Sequence, residues 1–381
     1  MEFYRICIME RELRILHISE SSGWSGGAAQ ALSLARLLRA RGHENLITCP
    51  EGGDLWKKAG ADGIQLFPFR PRRDYDLPCA FKLARFIARW KPDVVHAHHP
   101  KAHAMALLAK ALVRRKPVLV VSRRVSHPLL KTFFARRKYK SPLVDGYITV
   151  AESIRRMFLA YGLPPEKVRT IYSGVDAARF RPSLASGKIA AELALPAGVP
   201  VVGLVGNFSF DKGQHVCVEA AARLLREGRK FILVLAGRDT DSHEAKELLA
   251  RKGFPPENAR LLGLRDDVPE ILSVLTVSLN CAVKGEALSG SIRESMAMGV
   301  PVIAGDISGN GELVLDRRTG LLFPPGDDAA LYGRLKYALD NPVAMREMAD
   351  RGLAVVLENF TAEVMADKTL SYYRELLGRE A

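Results

Sequence analysis

At 381 residues, 48% hydrophobic and 26% charged, the chain carries enough apolar material for two folded cores and is neither disordered nor fibrous. It has no run of about 18 apolar residues, so no spanning helix is expected, and the charge-broken start Met1-Glu2-Phe3-Tyr4-Arg5 lacks the apolar core of a signal peptide. The net charge of +14 is uneven: residues 1–183 hold 33 Lys+Arg against 15 Asp+Glu, the remainder 23 against 27, so the first half should be drawn to an anionic partner.

Residues 1–12 are expected to form a loose extension. Arg14 to Ser19 reads as a buried strand, Gly23-Trp24-Ser25-Gly26-Gly27 as a loop, and Ala28 to Arg41 as a helix stopped by Gly42. Strand, glycine-rich loop and helix open a doubly wound α/β domain, whose ligands sit at the carboxyl ends of the strands. Gly26 and Gly27 would let a substrate approach the backbone, although a plain tight turn fits them as well. Strand-like runs follow at 44–49, 93–96, 117–122 and 146–150, alternating with helices near 78–90, 102–112 and 153–161, as a parallel sheet covered on both faces requires. His96-Ala97-His98-His99 has the composition of a metal cluster, but alternate positions at a strand end are expected to point apart. Between Asp93 and Asp145 no residue is acidic. There Ser126 to Lys140 sets Leu129, Leu130, Phe133 and Phe134 among cations, either as an interfacial segment for an anionic membrane or as a surface helix with its stripe on its own core.

The interval 182–200 reads as a linker, giving domains of 1–183 and 184–360. A second strand–loop–helix series starts at Val201 and runs to Gly326. Five scattered cysteines, Cys7, Cys49, Cys79, Cys217 and Cys281, show neither disulfide nor zinc spacing and point to a reducing compartment. Lys212 lies in the loop after the first strand of the second series and could reach a diphosphate. The densest stretch runs from Lys284 to Ala304: a polar loop with Glu286, a short helix from about Ser291 to Met298 closed by Gly299, and a buried strand. A helix starting at Ser289-Gly290-Ser291 offers free amides and a positive dipole end, a seat for a phosphate. Glu294 could accept hydrogen bonds from sugar hydroxyls, or it could close a Ser-x-x-Glu capping box on Ser291.

Glu286-x7-Glu294 followed by Ser-Met-Ala-Met-Gly-Val-Pro-Val-Ile-Ala, together with Gly174-Val175-Asp176, Gly263 to Leu272, Asp306 to Glu312 and Thr319 to Asp327, resembles the retaining glycosyltransferases of the group-1 family (family 4). The resemblance runs from Arg14 to the end. It implies a GT-B fold, two Rossmann-like doubly wound domains facing across a cleft, with residues 361–381 forming a helix that crosses back to the first domain. It implies a nucleotide-sugar donor on the second domain: Glu294 on the ribose, Glu286 on the sugar, the amides of Leu288, Ser289 and Gly290 on the distal phosphate, Lys212 on the diphosphate, and the backbone at Leu264 and Arg265 on the base. Gly26 and Gly27 would face the donor from the first domain. The family's usual arginine after the glycine is Asn207 here, which keeps a hydrogen-bond donor and loses a charge.

Where many members carry a histidine after the strand that ends near Ser122, this chain has Arg123 and Arg124, with His127 beyond. With His98 and His99 these would hold an anionic group of donor or acceptor, and Arg123, Glu286 and Lys212 would be the catalytic side chains. No cofactor or metal is implied, because helix dipole, amides and lysine neutralise the leaving group. The implied acceptor is a cell-envelope glycan or glycolipid, such as a lipopolysaccharide core or a lipid-linked oligosaccharide. The protein is expected to be cytoplasmic, peripheral on the inner membrane face through its basic half, with no nucleic-acid partner. The alternatives are a GT-B epimerase or hydrolase, or a non-catalytic protein that binds nucleotide-sugars or nucleic acid.

Overall fold

A computed structural model of the chain describes residues 11–182 and 187–379. Most of the expected extension and four residues of the expected linker lie outside the described residues. No helix among the described residues is long and apolar enough to cross a membrane.

The first unit is built on seven parallel strands: β1 (Arg14–Ile18), β2 (Glu44–Cys49), β3 (Gln65–Pro68), β4 (Val94–Ala97), β5 (Val118–Arg123), β6 (Gly146–Thr149) and β7 (Val168–Thr170). Their order in the sheet is β3-β2-β1-β4-β5-β6-β7. The second unit repeats the plan with β8 (Val201–Val205), β9 (Ile232–Ala236), β10 (Ala259–Leu261), β11 (Val277–Asn280), β12 (Val302–Gly305) and β13 (Leu321–Phe323), in the order β10-β9-β8-β11-β12-β13. The central strands are buried on both faces, which is why they read as unbroken apolar runs. In each sheet the strand order reverses once, between β1 and β4 and between β8 and β11. In such sheets the crevice at the carboxyl ends of those two strands is where ligands bind.

Six helices matter for the site and its support: α1 (Gly26–Ala40), α2 (Pro100–Leu112), α3 (Phe133–Tyr139), α4 (Gln214–Arg226), α5 (Gly290–Ala297) and α6 (Ala362–Arg379). Gly26 and Gly27, read as loop, are instead the first turn of α1, capped by the Ser25 hydroxyl on the Ala28 amide at 3.2 Å. The final helix α6 belongs to the first unit, where Met365, Leu370, Tyr373 and Leu376 join the core of β1, β4 and β5.

The boundary lies earlier than the 183/184 expected from the proline-containing interval. The first unit ends at Gly174 and resumes at Ala362, and Val175–Thr361 is the second. The physical reason is a closure: the Val175 amide donates to the Phe360 carbonyl at 2.8 Å, and Val175 bridges Thr361. The chain therefore enters and leaves the second unit at one point.

Candidate functional site

In the second unit, the loops leaving β8 and β11 are locked together. The turn Phe210–Lys212 ends at Gly213 with φ +71°, and a Cβ there would lie 1.8 Å from the Cys281 carbonyl oxygen. Only glycine allows both the backbone conformation and the approach. The Val283 amide donates to the Asp211 carbonyl at 2.9 Å, and Lys284 pairs with Asp211 at 3.4 Å. This stitching carries Lys212 over to the β11 exit, where its ammonium forms an ion pair with the buried carboxylate of Glu286.

Helix α5 follows. Its N-cap, Ser289, does not cap: the hydroxyl instead accepts from Asn280 Nδ2 at 2.9 Å and meets Ser291 Oγ at 3.2 Å. The amides of Leu288, Ser289, Gly290, Ser291 and Ile292 have no protein acceptor among the described residues. They and the positive dipole end beside Lys212 suit an anion with several oxygens.

The capping-box reading of Glu294 is not realised, because its carboxylate takes none of these amides. It is buried enough to be held above the usual carboxylate range, with Arg293 and Arg179 partly opposing that shift. Arg293 was not picked out from sequence. Buried at 5% exposure, it donates from Nη1 to the Leu288 carbonyl at 3.0 Å, and burial lowers it to about 10 against the pull of Glu294 and Glu286. It braces the loop that carries Glu286 from below. A lone arginine on the apolar side of a short helix was the one available signal.

Glu294 yields a prediction. A carboxyl raised by burial contributes stability below its unfolded value that is lost as pH rises through the folded value. At pH 7, above the unfolded value, a titrating carboxyl here therefore costs stability relative to a neutral side chain, so Glu294→Gln should raise the calorimetric Tm at pH 7. A lower Tm would make the carboxylate a structural partner instead.

Asn207 turns its Oδ1 to the Arg238 amide at 3.1 Å, leaving the exposed side chain with its NH₂ donors to offer a ligand. Leu264 is 70% exposed, an apolar face at the segment expected to meet a base. Arg265 forks onto Asp267 at 2.7 and 2.6 Å and reaches Glu192 at 2.7 Å, so its side chain holds the loop and its backbone remains for recognition.

In the first unit the β1 and β4 exits meet at a second cluster. A Cβ on Gly27 would stand 2.9 Å from His99 Nε2 and 3.6 Å from Arg124 Cδ, so the missing side chain admits both groups to the start of α1. His99 is held by Ser19 Oγ at 3.1 Å, and Arg124 donates to Ser173 Oγ at 3.2 Å. Arg123 faces away. Its guanidinium ties down the loop through the carbonyls of Val125 at 3.1 Å and His127 at 2.6 Å, and the Tyr139 hydroxyl at 3.2 Å. His127 is exposed and serves as an acceptor for that brace. The arginine at the glycine turn is Arg124.

The histidines are also placed differently from the sequence reading. His96 and His98 share a side, with ring centroids 4.0 Å apart, and His17 joins them because β1 pairs with β4 in the register His17↔His96. The hydrogen bonds specify the protons. Asn45 Nδ2 donates to the His43 carbonyl, so Asn45 Oδ1 accepts from His17 Nε2 at 3.0 Å. His17 Nδ1 then accepts from His98 Nε2 at 3.0 Å, and His98 Nδ1 faces Arg124 Nη2 at 3.5 Å. His96 lies between Tyr373 and Ser122, at 2.6 and 2.7 Å. These ring nitrogens are engaged in a neutral network, and the guanidinium beside it repels a cation. His98 is fully buried and steadies Arg124 from behind, and His99 is the histidine at the glycine turn.

Burial pushes His17 and His99 down to about 4, and His96, His98 and His103 well below the usual range. A lowered histidine contributes stability above its unfolded value of 6.5 that is lost as pH falls towards the folded value. The chain should therefore lose stability between pH 6.5 and 4, by up to about 1.4 kcal/mol per pH unit for each histidine. Denaturant titrations at half-unit pH intervals check this, and a flat profile would contradict neutral burial.

Comparison with known proteins agrees with this geometry. The model of glycosyltransferase family 4 matches residues 24–179, and that of glycosyl transferases group 1 matches residues 199–341. A phosphatidyl-myo-inositol mannosyltransferase of Mycobacterium leprae (strain TN) is 25% identical over 371 residues, covering 91% of this chain and 92% of its own length. Two solved structures share the fold. A glycosyltransferase from Rickettsia africae ESF-5 has a TM-score of 0.88 at 22% identity, over 96% of this chain and 99% of that one. Anabaena Alr3699/HepE in complex with UDP has a TM-score of 0.82 at 20% identity, over 94% and 99%. Both halves of the chain match in family order, each on its own Rossmann-like sheet, and the protein belongs to the group-1 (family 4) glycosyltransferases of GT-B fold.

Proposed function

We propose that this glycosyltransferase moves a sugar from a nucleotide-sugar to a hydroxyl of a cell-envelope glycan, with retention and without a metal ion. The carrying observation is the set of unpartnered amides at the start of α5, beside the Lys212–Glu286 pair and Glu294. The diphosphate would sit on the amides of Leu288, Ser289 and Gly290, with Lys212 neutralising the charge that grows as the sugar leaves. Glu286 would orient the sugar and Glu294 the ribose, while Asn207 gives a neutral hydrogen bond to a phosphate. Gly26 and Gly27 would offer the amides of their helical turn, and Arg124 with His99 would meet an anionic group of the donor or acceptor.

The UDP bound to the Anabaena protein supports a nucleoside-diphosphate donor, and the Mycobacterium relative, by name, supports a lipid-borne acceptor. A lipopolysaccharide core or lipid-linked oligosaccharide is the acceptor class put forward, reached from the cytoplasmic side with the basic first unit resting on the membrane.

The test is product analysis. Purified enzyme, a donor panel and an acceptor fraction of envelope glycolipids and lipopolysaccharide are incubated with and without EDTA, and the new linkage is read by its anomeric NMR coupling. Retention in both conditions is expected. An inverted linkage, or activity abolished by EDTA, would overturn the mechanism. Donor turnover without acceptor would point to a hydrolase or epimerase.

A further inference from the structure

The exposed large apolar side chains of the described residues fall mostly in the first unit. Leu129 is buried, but Leu130, Phe133 and Phe134 are 71%, 69% and 66% exposed, so most of the stripe that could have packed on its own core does not, and within α3 only Tyr139 is buried. Phe134 lies 6.3 Å from the ring of Tyr75, itself half-exposed.

Behind this patch, between α2 and α3, is a groove of about 410 Å³. Leu107, Leu108 and Ala111 of α2 line one side, Phe134 and Leu143 the other, and Arg137 and Lys138 stand in its lining. Lys138 is tied to the Pro100 carbonyl at 2.6 Å and lies 4.0 Å from Asp74, the one carboxylate paired with these cations among the described residues. Lys131, Arg136, Arg137 and Lys140 are exposed and have no carboxylate within ion-pair distance among the described residues.

An aliphatic trough beside unneutralised cations selects its occupant. A peptide laid there would bury amides against leucine and alanine, which supply no hydrogen bonds. A hydrocarbon chain loses nothing by entering, and a headgroup phosphate is met by guanidinium groups that bind it bidentately. We infer that this groove takes one acyl chain of an anionic bilayer lipid, with the headgroup at Arg137 and its neighbours. The inference rests on the peripheral-membrane reading above.

The experiment uses the full chain with phosphatidylglycerol–phosphatidylethanolamine vesicles, in which some phosphatidylglycerol carries a mid-chain diazirine. Flotation measures partitioning, and crosslinked peptides locate the chain. Crosslinks at 104–111 and 141–143 are expected. Ala111→Trp fills the groove from an exposed position while keeping every cation. It should remove those crosslinks and weaken partitioning about tenfold, a change of the size that withdrawing a few methylenes produces. Unchanged melting of the variant excludes misfolding.

If wild type floats but its crosslinks fall only on Leu130 and Phe133, or Ala111→Trp crosslinks at 104–111 like wild type, the groove is overturned and membrane docking stands. If wild type does not float at low salt, the membrane reading falls and the groove with it.

Discussion

Lys212→Ala should lower kcat/KM for the sugar donor by about 10²- to 10³-fold, the loss typical of removing one preorganised group that stabilises a departing charge. Two effects add. The variant removes the ammonium that would stand against the diphosphate, and it strands the buried carboxylate of Glu286, whose ion pair that ammonium completes. The stranded anion would repel the donor. Adding Glu286→Gln to Lys212→Ala should therefore recover nucleoside-diphosphate affinity, read by calorimetry, without recovering turnover. Lys212→Arg keeps a charge and should lose less than Ala. A fall of less than fivefold for Lys212→Ala would place the lysine outside the reaction.

The largest effect on stability is expected at the next residue. Gly213→Ala puts a Cβ 1.8 Å from the Cys281 carbonyl oxygen and forces φ +71° on a residue with a side chain. The contact is with backbone of β11's exit, which cannot rotate away, so strain and displacement together should cost about 3–5 kcal/mol. For a unit of this size that is a fall in Tm of roughly 10 °C. Gly228→Ala separates the two contributions: its φ is +82° and the added Cβ meets open space, so only the conformational cost applies, about 1–2 kcal/mol. Equal losses in the two variants would mean that the loops leaving β8 and β11 are not locked as described. A greater loss at Gly213, with activity falling alongside, would tie the position of Lys212 to that lock.

Much of the fold was legible because strands of a doubly wound sheet are covered on both faces and announce themselves as apolar runs. The edge strand β3 was passed over. It has four residues, none fully buried, and ends in Pro68, so it carries neither an apolar run nor an alternation. The unit boundary was misplaced because it is set by Val175 meeting Thr361, a pairing of distant residues that leaves no local mark.

The second-unit site was readable from Glu286, Lys212 and the α5 stretch because those residues are close in sequence or follow strand ends. Arg293 was missed because its position on α5 is one where an apolar side chain is expected. The histidine cluster was misjudged for a similar reason. His96 was weighed with its chain neighbours, while its structural neighbours His17, Ser122 and Tyr373 come from three other elements. Only the pairing of β1 and β5 with β4 and the return of α6 bring them together. Arg123 and Arg124 are adjacent in sequence and alike in chemistry, and only the fold shows that the first ties down its own loop while the second reaches Gly27 and Ser173.

The most direct test of the nucleotide-sugar site is a thermal-shift titration of wild type and Glu294→Ala with UDP-, GDP-, ADP- and TDP-sugars. One donor is expected to raise the Tm of wild type in a saturable way, by the amount that binding to the folded state alone produces. The variant, folded and melting cooperatively, should not respond to it. Stabilisation of both proteins to the same extent would remove Glu294 from the site. No response of wild type to any of the four would contradict the account of α5 as the seat of the donor.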